Sequence, residues 1–114
     1  MSRFLPADHS KGDERTIGGY AAVHARPAAF EGRDGFSYSV EILTDATDDH
    51  AGAVGAFFLF VQWKRFGEQG VEGHLESDFL AHGADAERAK VALGAMSVEE
   101  VQRHLDALIL ERDA

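Results

Sequence analysis

Residues 56–82 read AFFLFVQWKRFGEQGVEGHLESDFLAH, and the way this stretch folds decides the architecture of the chain. Phe57 to Phe66 is apolar at nearly every position, broken first at Gln62 and Lys64. A short apolar run rich in aromatics, stopped by Gly67, predicts a strand covered on both faces rather than a helix. Gly67 and Gly70 bracket Glu68-Gln69, a polar tip between glycines, which predicts a two-residue hairpin turn. Counting outward from that turn pairs Phe66 with Val71, Arg65 with Glu72 and Trp63 with His74. It also pairs Val61 with Glu76 and Leu59 with Asp78.

Side chains alternate between the faces of a strand. One face then carries Phe58, Phe60 and Phe66 with Val71, Leu75 and Phe79, and reads as core. Gln62 and Lys64 interrupt it and are expected near its open end, their head groups reaching water. The other face carries Phe57, Leu59, Val61 and Trp63 beside Glu72, His74, Glu76 and Asp78. Apolar on one strand and acidic on its neighbour, this second face suits cover by a loop, a helix or a second subunit.

The remaining chain supplies the rest of an α+β domain. Residues 1–15 read as a flexible N-terminal arm and residues 16–114 as a single domain. Thr16 to Arg26 alternates Ile17, Ala21, Val23 and Ala25 against Tyr20, His24 and Arg26, which predicts a first strand, at an edge or bending at Pro27, which weakens the ladder. Ala28 to Gly35 is expected to turn the chain. Phe36 to Leu43 alternates cleanly and predicts a half-buried strand. Thr44 to Gly55 reads as an acidic loop; Asp45, Asp48, Asp49 and His50 do not follow the spacing of a calcium-binding EF-hand.

Ala84 to Leu93 predicts a helix ended by Gly94 in the left-handed conformation. Ser97 with Glu100 three residues on is a capping box opening a second helix. Val98, Val101, Leu105, Leu108 and Ile109 line one face of that helix, and Leu110, off the stripe, points to burial against something else. Strands precede helices without alternation. The expected fold is therefore a four-stranded antiparallel meander with a C-terminal αα-hairpin packed on one face.

Composition narrows the function. Twenty carboxylates stand against eleven Lys and Arg, a net charge of −9 with no basic run, which argues against nucleic acid and against an anionic membrane surface. The absence of cysteine excludes disulfides, a thiol nucleophile and Cys-ligated metals. No apolar run approaches a membrane span, and the N-terminus lacks the apolar core of a signal peptide, so a cytoplasmic location is expected.

Chemistry has one candidate place. The pattern E-x-H-x-E-x-D from Glu72 to Asp78 sets four polar groups along one strand face, neighbours about 7 Å apart. Zinc ordinarily takes three protein ligands, so His74 would need His24 or His82 to join it. The same row also serves as outward charge on an edge strand, which discourages aggregation.

No nucleophile elbow, HExxH, P-loop or dinucleotide fingerprint occurs, and no catalytic residue, metal set or cofactor is assigned. The leading expectation is a non-catalytic interaction module, a homodimer or a binder of another protein. Its interface or ligand-binding residues are Phe57, Leu59, Val61, Trp63, Glu72, His74 and Glu76. The alternative is a small-molecule or metal-binding protein, with enzymes included, centred on the His74 strand face.

Overall fold

Two long strands, β2 (Ser37–Ala46) and β3 (Val54–Trp63), pair antiparallel over their whole length, from Ser37 opposite Trp63 to Ala46 opposite Val54. The computed structural model describes residues 6–47, 53–65 and 69–114. Within these residues β1 (Ala29–Glu31) flanks β2, and β4 (Val71–Glu76) flanks β3, giving the order β1-β2-β3-β4. A fifth short strand, β5 (Ala81–Gly83), continues along the same edge of β3 as β4. Three helices accompany the sheet: α1 (Ile17–His24), α2 (Ala86–Gly94) and α3 (Val98–Asp113). The class is α+β, with an antiparallel sheet in meander order.

The first strand of that meander is not where alternation placed it. Thr16 to Arg26 forms helix α1, with the Thr16 hydroxyl accepting the Gly19 N–H at the N-cap. Alanine and glycine weigh nothing in a hydrophobic period, so Ile17, Ala21, Val23 and Ala25 fit two periods equally, and the cap decides for helix. Gly18 lets the helix approach α2 closely, for a Cβ there would sit 3.1 Å from Gly94 Cα. Gly94 serves the same approach. It is the last residue of α2, and Ala95 at the C-cap is right-handed, so Gly94 is not the expected left-handed stop. The strand role passes to Ala29–Glu31, inside the segment expected to turn, while Gly32–Gly35 makes the turn itself through Gly35 N–H to Gly32 O, 2.8 Å.

Of the expected arm, residues 1–5 lie outside the described residues. Residues 9–11 form a single 3₁₀ turn, and the Asp8 N–H donates to Val23 O at 2.9 Å. Strand ends also reach further than expected: Thr44–Ala46 and Val54–Gly55 belong to β2 and β3. Asp48, Asp49 and His50 of the acidic loop lie outside the described residues.

All core side chains from the sheet point to one face. Tyr38, Val40, Phe58 and Phe60 are buried there against Ala89 and Leu93 of α2 and Val101, Leu105 and Ile109 of α3. The 3.6-residue stripe expected for α3 is the one that is buried. Ser97 caps the helix as expected, accepting the Glu100 N–H at 3.1 Å. Leu110, expected to be covered, is exposed, because it lies on the side of α3 away from the sheet.

The end of α3 is pinned by a polar clasp. The Arg112 guanidinium donates to Asp34 Oδ2 at 2.9 Å, to Tyr38 Oη at 3.3 Å and to Gln62 Oε1 at 3.2 Å. Tyr38 in turn donates to Asp34 Oδ2 at 2.6 Å. Gln62 is therefore buried and satisfied by Arg112, where it was expected to reach for water. Burial works against the charge of Asp34, yet the Tyr38 hydroxyl, Arg112 and the Phe36 N–H together hold its carboxyl below the ordinary value. Burial, reinforced by the Asp34 hydrogen bond, pushes the Tyr38 hydroxyl up to about 12, so it remains a donor.

Candidate functional site

The helices cover one face of the sheet, and the candidate residues lie on the other. Odd-numbered positions of β3 point there: Phe57, Leu59 and Val61 are half-buried, and Trp63 is 41% exposed. The Trp63 indole reaches across to β2, where its Nε1–H donates to Ser39 Oγ at 3.0 Å. On β2 this face carries Ser37, Ser39, Glu41 and Leu43, so the apolar row of β3 is bordered by polar groups except at Leu43.

The register of β3 with β4 corrects the count from the turn. Leu59 faces Glu76, Val61 faces His74 and Gln62 faces Gly73, two residues away from the expected pairs. Because the displacement is even, Glu76 and His74 stay on the same face as Leu59 and Val61. Two irregularities cause it. The Lys64 N–H donates to Gly70 O at 3.1 Å, which sets the end of the ladder away from the expected count, and residues 66–68 of the expected turn lie outside the described residues. A bulge between Gln62 and Trp63 then pairs Trp63 with Val71 and leaves Glu72 as the extra residue. Trp63 and His74 are thus not cross-strand partners, and Phe66, the expected partner of Val71, lies outside the described residues.

Glu72 also lacks the expected cross-strand pairing with Arg65. The Arg65 guanidinium lies over the Phe36 ring, 3.7 Å from its centroid, and its Nη2 donates to Asp34 O. A cation on an aromatic face with a carbonyl acceptor holds Arg65 at the start of β2, away from β4.

The bulge has a consequence for the surface. Directly paired residues share a face, so Val71 joins Trp63 on the outer side instead of the core, and is 52% exposed. Phe79 changes sides as well. Residues 77–80 leave the ladder between β4 and β5, held by the Ser77 N–H to Phe58 O at 3.0 Å and the Leu80 N–H to Ala56 O at 2.9 Å. Phe79 then folds over Gly55, where its ring leaves no room for a Cβ, and meets Phe57 edge-on with centroids 5.8 Å apart. It remains 39% exposed. The outer face therefore holds one continuous apolar band, Val71, Trp63, Val61, Leu59, Phe57 and Phe79, with Glu72, His74 and Glu76 exposed along one side. Sequence patterning missed Val71 and Phe79, since nothing in the E-G or S-D-F-L stretches marks an inserted residue.

The polar row does not assemble into a chelate. His74 and Glu76 share the face, Glu72 is bulged and Asp78 lies in the irregular segment. His24 sits at the end of α1 with Nε2 2.9 Å from Glu14 Oε2. His82 pairs opposite Gly55 on β5, six residues along β3 from the partner of His74, or about 20 Å. Among the described residues no group of three His, Asp or Glu side chains is placed to hold a metal ion, and no helix is long and apolar enough to cross a membrane. Neither protein-family models, nor curated proteins, nor solved structures match this chain.

Proposed function

We propose that this chain is a non-catalytic interaction module that self-associates through the uncovered face of its sheet. The observation that carries the reading is the apolar band from Val71 to Phe79, which the chain's own helices leave in contact with solvent. Large side chains in a continuous row are rare on the surface of a monomer and common at interfaces. Trp63 supplies an aromatic anchor near one end of the band, the residue type that dominates interface energies. The face is also of useful size. Three strands at about 4.8 Å spacing over about 34 Å of β3 give roughly 500 Å² in projection. Side-chain relief raises this toward the ~800 Å² per partner of a standard interface.

A second copy is the favoured occupant because a two-fold axis meets such a face with its own image, apolar band on apolar band. The acidic side of each band, Glu72 and Glu76, then falls at the rim, where water screens it. Multi-angle light scattering tests this. At micromolar concentration the wild-type mass is expected at twice the 12.4 kDa of one chain. Trp63→Glu, which places an unpaired charge in the contact, is expected at one chain mass with an unchanged circular dichroism spectrum. A wild-type mass of one chain would end the proposal. Raised salt is expected to favour association by screening the acidic rims.

A further inference from the structure

We infer that the open edge of β2 is a docking strand for an extended acidic peptide segment of another protein. The edge is open because β1 is short. β1 pairs with β2 only through Ser37–Ser39, and the last contact on that side is the Val40 N–H to Ala28 O, 3.2 Å. In a strand the N–H and C=O of one residue point to the same side, and the direction reverses at the next residue. Val40 points to the β1 side, so Ile42 and Thr44 do too. The other ladder agrees: the Phe58 N–H turns away from β2 to Ser77 Oγ at 2.9 Å, which leaves Phe57 and Leu59 to bond Leu43 and Glu41. Past Val40 no strand accompanies this side of β2 among the described residues, and the Ala46 N–H at its end is taken by Asp45 Oδ1 at 2.8 Å. Two residues thus present a donor and an acceptor each, the arrangement that β-augmentation uses.

The space beside the edge fits such a segment. A cleft of about 920 Å³ lies between β2 at Val40–Leu43 and the walls of α1 and α2, with Ile17, Ala21, Ala22 and Val91 among its apolar lining. Five residues of added strand run about 17 Å and would place alternate side chains against those helix walls. Charge selects the class of segment. Lys11 and Lys90 line the cleft, and Glu41 is the single acidic residue of its lining, in a chain with twenty acidic residues against eleven basic ones. In a chain of net charge −9 that local reversal favours acidic side chains and repels basic ones. It also disfavours a second copy pairing edge to edge, since Glu41 and Asp45 would meet their like.

The test uses the full chain and the peptide Asp-Val-Glu-Val-Glu-Leu-amide, labelled with fluorescein on its N-terminal amine, as probe, followed by anisotropy. Three comparators accompany it: a peptide with Lys in place of each acidic residue, and two isomers N-methylated on alternate amides. Added strand predicts that the acidic peptide binds, that the basic one does not, and that only one N-methyl isomer fails. The failing isomer has lost the amides that face β2. Lys11→Glu with Lys90→Glu is expected to weaken binding about tenfold while the thermal melt holds. Amide exchange at Ile42 and Thr44 is expected to slow in the complex. Equal affinity for acidic and basic peptides, or no binding up to about 1 mM, would overturn the inference. Both isomers binding like the parent, with decanoate displacing them, would overturn it in favour of a small-molecule cleft for an apolar acid. The wild-type mass by light scattering is a separate readout, so loss of the dimer and loss of the peptide site are distinguished.

Discussion

The two faces of β3 carry the same kind of side chain and meet different fates. Phe58 and Phe60 on one face are fully buried, whereas Leu59, Val61 and Trp63 on the other remain in contact with water. The difference lies in what neighbours them. The inner residues sit beside Ile42 and Val40 on β2 and in one cluster with Leu105 and Ile109 of α3, so apolar surface closes on apolar surface. The outer residues sit between Ser39 and Glu41 on one side and His74 and Glu76 on the other. A strand that is apolar on both faces but has apolar neighbours on only one is a core on one side and an uncovered apolar surface on the other.

The contrast breaks most sharply under truncation. Phe58→Ala is expected to cost about 3–5 kcal/mol and Leu105→Ala about 2–5 kcal/mol in urea unfolding, because both leave a cavity in a closed core. Leu59→Ala, measured where the chain is a monomer, is expected to cost about 1 kcal/mol or less, since half its surface loss is already absent. Comparable losses at Phe58 and Leu59 would show that the outer face is covered by something in the monomer.

The inner face also holds the polar clasp. Arg112→Ala leaves Asp34 and the buried Gln62 without their shared donor and is expected to cost about 1–3 kcal/mol. Among the described residues the outer face has no counterpart of that network. Asp34 also gives the inner face a pH dependence. Its carboxyl titrates below the unfolded value, so its contribution is fully present above the ordinary carboxylate pKa of about 3.9 and is lost as pH falls through the lower folded value. Asp34→Asn is expected to flatten the melting temperature between pH of about 5 and 2 relative to wild type. An unchanged slope would mean that other carboxylates dominate acid unfolding. The smallest effect belongs to the helix start: Ser97→Ala is expected to cost about 1 kcal/mol by removing the acceptor for the Glu100 N–H.

Much of this was legible where period and burial agree. Val101, Leu105 and Ile109 recur at helical spacing and are buried together. Tyr38 and Val40 alternate and point inward together. The parity of Leu59, Val61, His74 and Glu76 was legible too, because the register error was even and faces survive an even slip. The errors fell where residues carry no period. Ala21, Ala22 and Ala25 with Gly18 and Gly19 read as strand as readily as helix, and only the Thr16 cap and the fit against Gly94 separate the two. The bulge at Glu72 and the excursion at 77–80 obey tertiary contacts that local pattern does not encode, and with them went the sides of Val71 and Phe79.

Trp63 is the chain's only tryptophan, so the outer face carries its own probe. The most direct measurement is the emission of Trp63 as the protein is diluted from micromolar to nanomolar concentration. With the outer face buried against a second copy, the maximum is expected to start blue-shifted and move to the red, at the concentration where the scattering mass falls by half. An emission maximum that stays fixed at every concentration, with the mass of a single chain throughout, would contradict the account.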